Sequence, residues 1–279
     1  MKKQLALVVG AGAVKCAAAL GLWHELQEAG IQVDRFIGCS GGSLYTSVMA
    51  TCANLHEATE KTLLLWTRQV TTRRNTRAML SALLPGALKF NERFSMVDDK
   101  ILNERLRTTF GASTFADTCA PLQIVATDLM SGEMVVLENG SLFDAIRASI
   151  AIPYIWPAWQ VNGRWLVDGS YADPLPVDVA IKEGAEIILA IGFESPYPRR
   201  IKSLSRYAFQ LNSVMTNNLF RANFAFHNLA HHAEILPILP EFGEEVGLFD
   251  THKIPMVIEK GALAMQAQMA YLKKLLDVE

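Results

Sequence analysis

A serine hydroxyl becomes a nucleophile only when a neighbouring base takes its proton and a nearby dipole receives the charge that develops. One serine in this sequence stands where both are within reach. Ser40 lies in Gly38-Cys39-Ser40-Gly41-Gly42, a Gly-x-Ser-x-Gly pattern. That pattern has a mechanism when it joins a strand to a helix. The turn exposes the hydroxyl, the glycines Gly38 and Gly42 let backbone and helix approach closely, and the helix N-terminus favours negative charge. The usual base is histidine, and the chain has six: His24, His56, His227, His231, His232 and His252. None sits in a glycine-flanked loop after a late strand. His24 falls within a helix, and His231-His232 close another, where a surface or helix-end role is the commoner use. An acidic alternative is Asp168-Gly169, which follows a short apolar run and opens Asp173-Pro174-Leu175-Pro176. Site residues collect at strand ends in parallel sheets. An Asp-Gly turn between two strands explains the same pair, and it is a frequent use of it.

The elements that must position these residues read as alternating strands and helices. Leu5 to Val9 is a continuous apolar run that predicts a buried strand. It enters the turn Gly10-Ala11-Gly12-Ala13-Val14-Lys15, and a helix follows from about 16 to 29, closed by Gly30. Val33 to Ile37 predicts the second strand, and 43–52 a helix of small residues. Strand, turn, helix, repeated, marks a parallel α/β sheet. Residues 54–110 read as mostly helical, broken at Leu84-Pro85-Gly86. Further strands are predicted at 122–126, 133–137, 165–167 and 186–191, and further helices at 142–149, 203–231 and 257–276. The helix at 203–231 carries Tyr207, Phe209, Met215, Phe220, Phe224 and Phe226. Core packing, a dimer contact and a membrane contact all fit them.

The bulk properties limit what else the chain does. With 279 residues, 51% hydrophobic, it has enough apolar mass for one large core. No linker, repeat or low-complexity run divides it, so a single domain over 1–279 is expected, with 54–110 as a helical insertion and possible lid. Twenty-six basic and 28 acidic residues leave a net charge of −2, which offers no electrostatic argument for nucleic acid. The cluster Arg73, Arg74 and Arg77, beside Met79-Leu80-Ser81-Ala82-Leu83-Leu84, fits a solvated helix face or a contact with anionic lipid head groups. Cys16, Cys39, Cys52 and Cys119 lack the spacing of a zinc site and fit a reducing compartment. Lys2 and Lys3 before an apolar run resemble the start of a signal peptide, but a first strand explains the same residues. No apolar run reaches the ~18 residues needed to span a bilayer. A cytoplasmic protein, with possible peripheral membrane contact, is the expectation. The first turn also resembles a dinucleotide fingerprint, yet Lys15 stands where the third small residue belongs, and Asp34 falls near the start of the second strand rather than at its end.

Taken together, several segments resemble the patatin-like phospholipase family in its bacterial form, over nearly the whole chain. They are Val9 to Lys15, Ile37 to Gly42, Val125 to Leu129 with Ser131-Gly132, Ala145 to Pro153, Leu166 to Gly169 with Pro174 to Pro176, and Val257 to Gly261. The resemblance implies a mostly parallel central sheet flanked by helices and a lipid acyl-ester hydrolase of the phospholipase A or lysophospholipase type. It implies a Ser-Asp dyad without histidine, with Ser40 as nucleophile and Asp168 as base. Backbone amides of Ala11, Gly12 and Ala13 would form the oxyanion hole, supported by Gly10, Lys15, Gly38, Gly42 and Gly169. Lys15 would hold that loop or meet a lipid phosphate. It implies no metal and no cofactor, and it leaves a homo-oligomer possible. The family loop usually has glycine where Ala11, Ala13 and Cys16 stand, so strain is expected there. A histidine-dependent esterase or thioesterase and a non-catalytic lipid-binding protein are the alternatives.

Overall fold

The computed structural model describes residues 3–71, 73–194, 200–201, 204–230, 233–242, 246–247 and 250–278. The strands are β1 (Leu5–Val9), β2 (Arg35–Cys39), β3 (Leu122–Asp128), β4 (Met134–Leu137), β5 (Trp159–Val161), β6 (Arg164–Asp168), β7 (Ile187–Ile191) and β8 (Glu234–Ile238). The helices are α1 (Ala18–Glu28), α2 (Gly41–Thr51), α3 (Leu55–Leu65), α4 (Thr76–Leu83), α5 (Pro85–Leu88), α6 (Lys100–Phe110), α7 (Leu142–Ser149), α8 (Val177–Lys182), α9 (Leu204–Ala230) and α10 (Ile254–Leu275).

β1 is apolar throughout and buried at every position, as a central parallel strand covered on both faces must be. It pairs in parallel with β2 and β7. β2 continues in parallel to β3, and β7 to β8. Beyond β3 the pairing turns antiparallel, to β4 and β6, and β5 closes onto β6. Alternate β1 side chains divide the core. Leu5, Leu7 and Val9 pack with apolar residues of α1, α2, α7 and α10. Ala6 and Val8 pack with Val177, Val179 and Ala180 of α8. The result is a mostly parallel sheet flanked by helices, the architecture the alternating pattern implied. No helix among the described residues is long and apolar enough to cross a membrane.

α1 and α10 meet where both helices lack side chains. A Cβ on Gly21 would lie 1.9 Å from the carbonyl oxygen of Ile258, and one on Gly261 1.8 Å from that of Ala18. Glycine at both points is a requirement of close helix approach, and this accounts for Gly261 in the late motif.

Within 54–110, Leu65, Trp66, Leu102, Leu106 and Phe110 are buried, whereas Met79, Leu80, Leu84 and Phe90 are exposed. Pro85 occupies the first turn of α5, where its missing N–H costs nothing. On α9, Tyr207, Leu211, Met215 and Phe226 are exposed, and Phe220 packs against the core on the α8 side. The side chains of Phe209 and Phe224 lie outside the description.

Candidate active site

The geometry of the site starts in β3. Cys39, the last residue of β2, pairs with Val125; Asp168, the last residue of β6, pairs with the next residue, Ala126. Two strands running in opposite directions thus end at one point of a third. Ser40 follows Cys39 directly, so it arrives beside Asp168. The Ser40 hydroxyl donates to Asp168 Oδ2 at 2.6 Å. Ser40 is 7% exposed and Asp168 1%.

The turn at Ser40 is tighter than a five-residue loop. Cys39 is still strand, Gly41 is already helix, and Ser40 alone makes the change with φ 54° and ψ −127°. A side chain at positive φ is strained by roughly 1–3 kcal/mol, and such strain persists only where the surroundings enforce it. Two contacts do so here. The Ser40 amide donates to Ser149 Oγ at 2.9 Å, and Ser149 Oγ donates to the Val125 carbonyl at 2.6 Å. A Cβ on Gly42 would stand 2.0 Å from the Val9 carbonyl oxygen, so α2 is seated directly on the end of β1.

Asp168 is fixed as closely. Its Oδ1 accepts from the Ser170 amide at 2.9 Å, its own amide donates to the Ala151 carbonyl at 3.0 Å, and its carbonyl accepts from Thr127 Oγ1 at 2.8 Å. Burial disfavours the charged carboxylate and lifts its pKa to about 6, partly offset by the hydrogen bonds from Ser40 and Ser170. A carboxylate with that value is a better base at neutral pH than an ordinary aspartate. Asp173, outside the cleft, is also raised to about 6 by burial.

The first turn faces Ser40 across the cleft. Gly10 anchors it through an amide hydrogen bond to the Ile191 carbonyl at 2.9 Å. Ala11, expected to aim its amide at the site, donates instead to the Pro174 carbonyl at 2.8 Å. This corrects the three-donor loop: a committed N–H cannot also receive an oxyanion. The amides of Gly12 and Ala13 have no such partner among the described residues. Ala13 has φ 49°, the left-handed region that favours glycine, so the expected strain falls on this alanine. Gly38 lies in β2, and Gly169 opens the short turn after Asp168. Lys15 is buried, its Nζ donates to the Glu194 carbonyl at 2.6 Å, and desolvation lowers its pKa. Of its two expected roles, this contact is the loop-holding one.

A cleft of about 70 Å³ joins these parts, lined by Gly12, Ala13, Ser40, Ile152, Asp168, Phe193 and, from α9, Asn212, Ser213, Thr216 and Phe220. No histidine lines it among the described residues. His56 pairs with Glu60, His24 sits on α1, and His252 is exposed. His231 and His232 lie outside the described residues, as does the His227 side chain. No cluster of His, Cys, Asp or Glu among the described residues is arranged to hold a metal ion. The four cysteines are free thiols. Residue-by-residue reading missed Ser149, Ala151, Thr127 and the α9 wall. Ser149 and Ala151 fall inside the Ala145–Pro153 motif, but nothing in their chemistry announces a supporting role.

Comparison with known proteins bears on the family and the fold. An uncharacterized NTE family protein of Mycobacterium bovis is 30% identical over 188 residues, covering 67% of this chain and 48% of its own length. Neuropathy target esterase sws of Drosophila melanogaster is 30% identical over 189 residues, 67% of this chain and 13% of its own. The chain thus spans about half the length of the mycobacterial relative and a smaller part of the insect one. Among solved structures, VipD from Legionella pneumophila shares the fold with a TM-score of 0.50 at 14% identity, over 95% of this chain and 67% of that one. The family model described as patatin-like phospholipase matches residues 7–181, more than half of the sequence, and the chain belongs to that family.

Proposed function

We propose that the protein is a lipid acyl-ester hydrolase of the phospholipase A or lysophospholipase type, working through an acyl-Ser40 intermediate with Asp168 as its only side-chain base. The observation that carries this reading is the 2.6 Å hydrogen bond from Ser40 to Asp168 in a cleft where no histidine stands among the described residues. Asp168 takes the Ser40 proton as Oγ attacks the ester carbonyl. The oxyanion forms against the amides of Gly12 and Ala13, with the N-terminus of α2 behind Ser40. The C–O bond then breaks, and Asp168 returns its proton to the leaving alcohol. Water enters next; the cleft volume exceeds several times that of one water probe. Asp168 deprotonates this water as it attacks the acyl carbon, and Ser40 leaves with the proton restored.

A fluorophosphonate probe and a short p-nitrophenyl ester test this directly. Wild-type protein should be labelled at Ser40 and should turn the ester over; Ser40→Ala should do neither, and Asp168→Asn should lose ~10³-fold or more in kcat. Full hydrolysis by either variant overturns the dyad. Loss of activity on substituting His231 or His232 in a folded protein would favour a histidine-dependent esterase. Inert wild-type protein would favour lipid binding without catalysis.

A further inference from the structure

Residues 76–94 form an arm whose neck is strapped to the rim of the cleft. At the neck, Arg74 bridges Val97, the Asn75 amide donates to the Met96 carbonyl, and the Asp98 amide donates to the Arg73 carbonyl. The outgoing side of the neck is tied in turn to the rim. The Met96 amide donates to the Tyr154 carbonyl at 2.7 Å, and that of Val97 to the Ile155 carbonyl at 3.1 Å. Ile152, in the same short segment, lines the cleft, and the Tyr154 side chain is exposed.

The arm carries two kinds of exposed side chain. Met79, Leu80, Leu84 and Phe90 are large and apolar. Around them Arg73, Arg74, Arg77, Lys89 and Arg93 are exposed, against one carboxylate, Glu92. Arg73 also pairs with Asp98 in the neck at 3.1 Å. A chain of net charge −2 therefore gathers five cations around an exposed apolar helix pair. Apolar residues on a short helical hairpin, ringed by cations, match the boundary between acyl chains and anionic head groups, where apolar area and charge act together.

We propose that the arm docks the protein on an anionic lipid bilayer, with the cleft opening beside the contact. The occupant follows from charge complementarity: the cations meet anionic head groups while the four apolar side chains enter the interface. The purpose of the surface rests on the acyl-ester reading above, but the contact itself requires no turnover.

Cosedimentation of the full chain with vesicles of phosphatidylcholine, with and without phosphatidylglycerol, tests it. The variant Arg74→Gln/Arg77→Gln/Lys89→Gln leaves the neck pair Arg73–Asp98 in place. Wild-type protein should bind the phosphatidylglycerol vesicles, and binding should weaken steeply with added NaCl. The triple variant should bind about 100-fold more weakly, given the contribution of each cation near a charged surface. Leu80→Glu should also weaken binding. Both variants should melt like wild type and hydrolyse a soluble p-nitrophenyl ester at its rate. Wild-type protein that ignores the anionic vesicles, or a triple variant that binds them equally, overturns the proposal. Protein that binds vesicles but leaves the soluble ester uncut keeps the docking surface and loses the hydrolase reading.

Discussion

Asp168 makes a conflicting pair of demands on its surroundings. Full burial raises its pKa to about 6, and the same burial makes it a costly residue to ionise in the folded protein. Its ordinary value is 3.8. Below that pH both folded and unfolded chains hold the proton and no penalty exists. As pH rises toward 6 the unfolded chain ionises first, so the penalty grows; above 6 it is complete, on the order of 3 kcal/mol for a shift of this size. On the proposed mechanism activity must run the other way, because a general base works only when ionised. We expect kcat/KM for a soluble ester to rise through a midpoint near pH 6, and Asp173→Asn to leave that limb in place. At pH 8 Asp168→Asn should show the same ~10³-fold or greater loss of turnover, yet raise unfolding free energy by about 1–3 kcal/mol in urea titrations. A destabilised Asp168→Asn would contradict this account.

The element that holds the site together is the end of α7 and the two residues after it. Ser149 fixes the Ser40 amide, and the Ala151 carbonyl accepts from the Asp168 amide. One short segment thereby sets both halves of the pair. Arg147, fully buried on the same helix, ties it to Asp99, just before α6, at 2.7 Å and to Asn103 within α6 at 2.8 Å. Ser149→Ala would leave the Ser40 amide without its acceptor and the strained turn without one restraint. We expect kcat to fall about 10–100-fold with KM nearly unchanged, and fluorophosphonate labelling of the folded protein to slow in step. Equal losses in kcat and in thermal stability, with labelling of the folded fraction at the wild-type rate, would reduce Ser149 to a packing residue.

For the molecule as a whole, the packing between α1 and α10 is a source of stability separable from the site. The close approach of Gly21 to Ile258 and of Gly261 to Ala18 lies between α1 and α10, and neither helix lines the cleft. Gly261→Ala forces the helices apart and should cost about 2–3 kcal/mol in urea unfolding, with the specific activity of the folded fraction retained. The same separation decides what was legible in the sequence. Long apolar runs and glycine-rich turns act locally, so β1, β7, α7 and the Ser40 turn are readable in place. β2 lies two residues later than Val33 to Ile37, because Val33 precedes the pairing that starts near Arg35. β5 has only three residues, and its signal was the Asn162-Gly163 turn, with φ 48° and 79°. β8 contains Pro237, which a strand paired, among the described residues, with β7 alone tolerates. The Ala11 amide was misassigned because its acceptor, Pro174, lies far along the chain. Local pattern carries no information about such a partner.

The meeting of β2 and β6 on consecutive residues of β3 also bears on how the protein reaches its working state. Ser40 and Asp168 are separated by 128 positions, and no local turn brings them close. They become neighbours only after two independent registers have been set on one strand, the slow, non-local kind of assembly. A slip of one residue in either register would turn the acid or the serine to the opposite face. The Ser40–Asp168 hydrogen bond therefore records the completion of the fold: a partly assembled chain with most of its helices in place still lacks the carboxylate beside its serine. On the proposed mechanism such an intermediate would be silent toward esters, and hydrolysis would be confined to the finished molecule.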